Sequence, residues 1–247
     1  MARERYLVGV NEEELTYKPY GDPMTGRGKL ANFWYYHKGA IIGGAVAVAL
    51  IVYFVVQAVT RVKPDYQVCL VTMDGEGLPN TAKVALQESL ERYGEDRNGD
   101  GDVVVNIQYL HVVTEGDAAA VQQGQLAWQT VSSHVAAHDV VLYVLDDAVY
   151  QKLAALTPEN QTFLQDLGIE HDRLSEDGTY YIVNLYELAK QLWDGNIPEK
   201  WETVVPDSLY LGVRYNDGKL TKKQQEETET ALALVRKFIA AQPPVQE

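Results

Sequence analysis

One cysteine, Cys69, stands in 247 residues, so no internal disulfide framework exists; cytosolic and bacterial-surface settings both fit. It lies in the apolar run VCLV, as a small buried hydrophobe would. Cations are also scarce: 21 Lys and Arg against 35 Asp and Glu leave a net charge of -14, which excludes nucleic acid, because phosphate backbones are held by clustered Lys and Arg. No G-x-S-x-G, P-loop or G-x-G-x-x-G motif occurs, and no internal repeat. Ser132 and Ser133 adjoin His134 only in sequence, which makes no triad.

What is present is a long run without charge. Residues 39–60, GAIIGGAVAVALIVYFVVQAVT, are long enough as a helix to cross a hydrocarbon core of roughly 30 Å. Trp34, Tyr35 and Tyr36 precede it, where aromatic rings favour the membrane interface, and Lys38 and Arg61 bracket it. A buried helix of a soluble protein is the alternative. A signal peptide cleaved after Ala58 is another, but the apolar run exceeds an h-region of about 7–15 residues, which favours an uncleaved anchor in the lipid bilayer. Residues 1–38 carry +1, residues 39–63 carry +2 and residues 64–247 carry -17; with six cations before the span, the amino terminus is expected in the cytoplasm and the bulk outside the cell. Gly39 and Gly43, in G-x-x-x-G spacing, would let two such helices approach as a homodimer.

The expected organisation is an irregular cytoplasmic tail over 1–38, a transmembrane helix over 39–60, a linker over 61–65, an extracytoplasmic α/β domain over 66–241 and a short tail over 242–247. The domain opens with apolar runs at 66–73, 103–113 and 139–147, alternating with helical patterns at LPNTAKVALQESLERYG and after Asp117. The second helix presents Val121, Trp128, Val131 and Val135 on one face. This βαβαβ order predicts a mostly parallel sheet with flanking helices. AVYQKLAAL and ENQTFLQDLG read as helices, TYYIVNL and SLYLGVRYN as strands, and TKKQQEETETALALVRKFIAA as a final helix with Thr221 and Gln224 in capping-box spacing.

The segments AAHDVVLYVLDD and LYLGV and the terminal helix, following the βαβαβ start, resemble one lobe of a type 2 periplasmic solute-binding protein over 66–147 and 209–241. FWYYHK before the span and DYQV after it resemble uncharacterised single-span, surface-anchored proteins of Gram-positive-type bacteria. Both resemblances imply a binding or accessory role.

Three constellations could carry chemistry. Asp96, Asn98, Asp100 and Asp102 stand at positions 1, 3, 5 and 7 of D-x-N-x-D-G, with Gly101 at position 6, and resemble the calcium loops of EF-hands and dockerins. Position 12 is Ile107, and a strand follows where an EF-hand has a helix, so the choice lies between a calcium clip and a polar helix-to-strand turn. Asp74, Glu115, Asp117, Asp146 and Asp147 fall after the carboxyl ends of the first three strands, the usual ligand rim of a parallel sheet. They could bind a cation or a cationic ligand, or cap strand ends and helices. LVTMDGEG resembles the DxDG loop of haloacid-dehalogenase-like phosphatases, with Thr72 at the position of the nucleophilic aspartate. His134 and His138 share helical spacing with many zinc sites but lack a third ligand, while His37, His111 and His171 are isolated. Tyr180, Tyr181, Tyr186, Trp193, Trp201, Tyr210 and Tyr215 cluster late, as in a recognition surface or a core.

The reading is a membrane-anchored, non-catalytic module that binds a protein partner, peptide or glycan. A metal-assisted hydrolase using the acidic rim and an accessory subunit of a membrane assembly are the alternatives.

Overall fold

The computed structural model describes residues 25–60, 63–159, 161–195, 197, 201–216, 218 and 220–243. The chain forms two compact units, residues 1–62 and 63–247.

In the first unit one helix, α1 (Gly26–Thr60), runs for 35 residues. It is long and apolar enough to cross a membrane. Its apolar side chains stay bare, with Ile51 62% and Phe54 63% exposed. Gln57, the strongly polar residue of the run, donates from Nε2 to the Tyr53 hydroxyl at 2.9 Å, one turn back, so its amide is satisfied inside the helix. The helix begins before the uncharged run: residues 26–38, expected as irregular tail, are helical. Extending an existing helix costs far less than nucleating one, and GRGKLANFWYYHK contains no proline to stop it. On this extension Tyr35 and Tyr36 meet edge to face at 5.4 Å, and the Lys38 ammonium lies 5.3 Å from the Tyr35 ring. Arg61 and residues 1–24 lie outside the described residues.

The second unit is a three-layer α/β fold. Its elements are β1 (Tyr66–Met73), α2 (Asn80–Glu91), β2 (Val105–Val112), α3 (Ala118–Ala137), β3 (Leu142–Leu145), α4 (Asp147–Ala155), β4 (Tyr181–Val183), α5 (Leu185–Leu192), α6 (Trp201–Val204), β5 (Leu209–Val213) and α7 (Lys222–Ala240). The five strands lie in the order β2-β1-β3-β5-β4.

Alternate side chains of the central strands enter two cores. Val68, Leu70, Leu142 and Val144 pack with Leu86 and Leu90 of α2, Leu185 of α5, Trp201 of α6 and Phe238 of α7. Cys69, Val71, Tyr143 and Leu145 pack with Val131 of α3 and Val149 and Leu153 of α4. A sheet covered on both faces needs continuous apolar strands, and VCLV and LYVL supply them. Each fully buried leucine contributes about 1.5–3 kcal/mol.

The sheet is mixed rather than mostly parallel. β1 pairs in parallel with β2 and β3, but β5 runs antiparallel to both β3 and β4. Strand direction depends on how the chain returns to the sheet, which the apolar pattern of LYLGV does not encode. The helix expected at ENQTFLQDLG is also absent over its described residues 161–168. Leu164 instead forms a bridge with Arg214, the Gln165 amide donates to the Val213 carbonyl at 2.8 Å and Phe163 accepts from the Tyr215 amide at 3.0 Å. Sheet pairing and burial of Phe163, Leu164 and Leu167 outweigh local helix propensity. The capping box of α7 forms as expected: the Gln224 amide donates to the Thr221 hydroxyl, and the Gln224 side chain meets the Thr221 amide.

Asp65, assigned to the linker by sequence, is buried. It accepts the amides of Arg97 at 2.8 Å, Asn98 at 3.1 Å and Val104 at 2.9 Å, and so ties the α2–β2 turn to the start of β1.

Candidate functional site: the carboxyl rim of the parallel strands

β1 lies between β2 and β3, so the crossovers leaving β1 and β3 pass to opposite faces and open a switch point beyond their carboxyl ends. The five acids expected on this rim follow the strand ends, and Asp74, Asp117 and Asp146 close turns or cap helices. Asp74, at φ 54°, accepts the Thr114 amide at 2.7 Å and the Thr114 hydroxyl at 2.8 Å. Those bonds, the backbone one first, hold its carboxyl below the ordinary 3.8. Asp117 caps α3 through the Ala120 amide at 2.8 Å. Asp146 caps α4 through the Val149 amide at 2.8 Å and also takes the Met73 amide from the end of β1 at 2.5 Å. Desolvation raises its pKa above the ordinary value, against those two hydrogen bonds. Asp147 accepts the Tyr210 hydroxyl at 3.1 Å, and Glu115 is exposed. Among the described residues no group of three or more His, Cys, Asp or Glu is placed to hold a metal ion.

Inside the rim lies a chain of hydrogen bonds that sequence reasoning missed. The Leu78 amide donates to the Tyr109 hydroxyl at 2.8 Å; that oxygen lies 2.9 Å from Thr72 Oγ1, which lies 3.0 Å from His111 Nδ1. Thr72 is buried, so His111 is not isolated but joined through it to Tyr109. The available signal was the pair Tyr109 and His111, two apart on one strand and hence on one face of the sheet.

Next to Thr114, a cleft of about 330 Å³ opens between α3 and the end of β2. Val113, Val121, Gln125, Gln129 and Trp128 line it, with Lys152 of α4. The Lys152 ammonium lies 4.1 Å from the Trp128 ring centroid, a cation–π distance. Gly124 permits this arrangement: a Cβ there would come within 2.0 Å of the Val113 carbonyl oxygen, so α3 rests directly on the β2 backbone. Trp128 was legible only as part of a helical stripe. A larger cleft, about 470 Å³, lies at the opposite ends of the strands among Asp65, Arg97, His138, Asp139 and Lys223.

The loop resembling a calcium site is closed by its own amides. Asp96 accepts from Gly99 at 2.7 Å and from Gly101 at 2.9 Å, Asn98 accepts from Asp100 at 2.9 Å, and Asp100 accepts from Asp102 at 3.1 Å. Hydrogen bonds of this kind hold the Asp96 carboxyl below its ordinary range, the Gly101 amide first. His134 pairs with Asp139 at 2.8 Å, while His138 ends α3 at φ 52°, where the backbone leaves the helix.

The late aromatics do not gather on one surface: Tyr186 and Trp193 pack partly buried against the core, and Tyr215 is exposed. Tyr181 and Trp201 are buried in the core. Tyr180 stacks on Tyr210 at 4.3 Å, and Tyr150 meets them at 4.9 and 5.5 Å, a half-exposed group beside Asp147. Cys69 is fully buried and its thiol is pushed up to about 12, chiefly by desolvation, the opposite of an activated nucleophile. No protein-family model, curated protein or solved structure matches the chain.

Proposed function

We propose that the chain is a non-catalytic binding module, anchored by α1 in a cell membrane with its amino terminus in the cytoplasm and its α/β unit outside. The α/β unit is read as one lobe of solute-binding type that takes a peptide or glycan at the Trp128–Lys152 cleft. One observation carries this reading: the rim acids close turns and cap helices, while the adjoining cleft of about 330 Å³ presents an aromatic ring, two amides and a cation. Trp with side-chain amides suits sugar and peptide faces, and Lys152 favours a ligand with an acidic group.

The full chain in nanodiscs, titrated calorimetrically with acidic and neutral oligosaccharides and peptides, tests the site. Binding weakened at least about tenfold by both Trp128→Ala and Lys152→Ala carries it, a loss of about 1.4 kcal/mol; binding unchanged in both variants ends it. Protease added to intact cells checks the orientation, since an outer α/β unit is cut and an inner one is protected. Calcium is proposed as a clip for the loop at Asp96, Asn98, Asp100 and Asp102, whose side-chain oxygens are of the right kind. A melting temperature raised by millimolar calcium in the unaltered protein, and not in Asp100→Ala, supports the clip; identical melting rejects it.

A further inference from the structure

The two edges of the sheet are treated differently. The β4 edge is covered by its own chain: Ser175 and Ile182 donate to the Tyr180 and Arg173 carbonyls at 2.9 and 2.8 Å, and Leu174 bridges Tyr181. The β2 edge runs eight residues, and among the described residues no segment pairs with its outer side. Its inner side is identified by the Asp65 and Tyr66 amides, which donate to the Val104 carbonyl, and by the Asp74 amide, which donates to the Val112 carbonyl. Main-chain direction alternates along a strand, so Ile107, Tyr109 and His111 turn their amides and carbonyls outward. Val105 faces outward too, but its amide is occupied by Glu91 Oε1 at 3.0 Å.

Exposed edges are usually blunted by charge, proline or bulges. VNIQYLHV has no proline, Asp, Glu, Lys or Arg, within a segment of 184 residues that carries -17. The strand itself thus brings no like charges together where two copies meet, although Glu91 lies at its Val105 end and Lys83 beside Tyr109.

We propose that β2 pairs antiparallel with β2 of a second copy of this chain, Gln108 opposite Gln108 on a two-fold axis. In this register Ile107 faces Tyr109 of the copy on one side of the sheet and Asn106 faces Leu110 on the other. The outward amides of Ile107, Tyr109 and His111 then find the carbonyls of Tyr109, Ile107 and Val105, and the two sheets become one. β-branched and aromatic residues make favourable cross-strand neighbours, as do paired amides. The pairing uses residues 105–111, whereas the Trp128–Lys152 cleft is lined by Val112 and the residues that follow it.

Gln108 and its copy form a non-hydrogen-bonded pair with Cα atoms about 4.5 Å apart, within disulfide range. The full-length Gln108→Cys protein in detergent should therefore form a covalent dimer under mild oxidation, while unaltered protein and Ser133→Cys, on the exposed face of α3, do not. Mass measured by light scattering should be twice 27.6 kDa for unaltered protein and fall to one copy in Gln108→Lys, which opposes two ammonium groups, with the far-ultraviolet spectrum unchanged. A single-copy mass for the unaltered protein overturns the pairing. So does a dimer that survives Gln108→Lys and fails to cross-link through Gln108→Cys.

Discussion

Asp146, at the start of α4, accepts the amide of Met73, at the end of β1. One carboxylate thereby caps a helix and fixes the neighbouring strand end, so the switch point is braced where the fold would otherwise open. Across the rim Asp74 holds Thr114 in the same manner, but from an exposed position.

These two acids are predicted to titrate in opposite senses. The folded pKa of Asp74 lies below its ordinary 3.8, so its contribution is present above that value and lost as pH falls through the folded pKa. That of Asp146 lies above 3.8, because of desolvation, so its contribution is present below 3.8 and lost as pH rises through the folded pKa. In urea melts across pH, the deficit of Asp74→Asn should shrink toward acid. The difference between unaltered protein and Asp146→Asn should move in favour of the variant as pH rises. Asp146→Ala, which removes the cap, should cost about 0.5–2 kcal/mol. Parallel pH curves for both asparagine variants would contradict these assignments.

Tyr109→Phe leaves the Leu78 amide and the buried Thr72 hydroxyl each short of a partner. A loss of about 1–3 kcal/mol in chemical denaturation is expected. Thr72→Val should lose a similar amount and free His111 Nδ1, detectable as a change in the imidazole nitrogen shifts.

Gly124→Ala drives a methyl group against the Val113 backbone, which is not a flexible side chain that can swing aside. α3 must lift from β2, at a cost of about 1–3 kcal/mol read from the denaturation midpoint. Because the same contact shapes the Trp128 cleft, any ligand of that cleft should bind more weakly to this variant. Unchanged stability would show that α3 does not rest on β2 as described.

Cys69 should resist maleimide in the folded protein and react once the chain is unfolded. Burial withholds the thiol from reagent and its raised pKa withholds the thiolate. Rapid labelling under native conditions would mean that the sheet opens at β1.

The uncharged run of residues 39–60, the apolar strand at 66–73, a strand within 139–147 (found over Leu142–Leu145), the Asp117 cap and the Thr221–Gln224 box were all legible from the chain, because each depends on composition or on neighbours within a few residues. The direction of β5, the irregular course of residues 161–168 and the chain joining Leu78, Tyr109, Thr72 and His111 were not. They depend on partners far away in sequence: Thr72 meets His111 from 39 residues distant, and Leu164 bridges Arg214. Local pattern states which residues seek burial or a cap. Which acid closes which turn, and which strand edge stays open, is decided only when the folded sheet brings distant hydrogen-bonding groups within reach of one another.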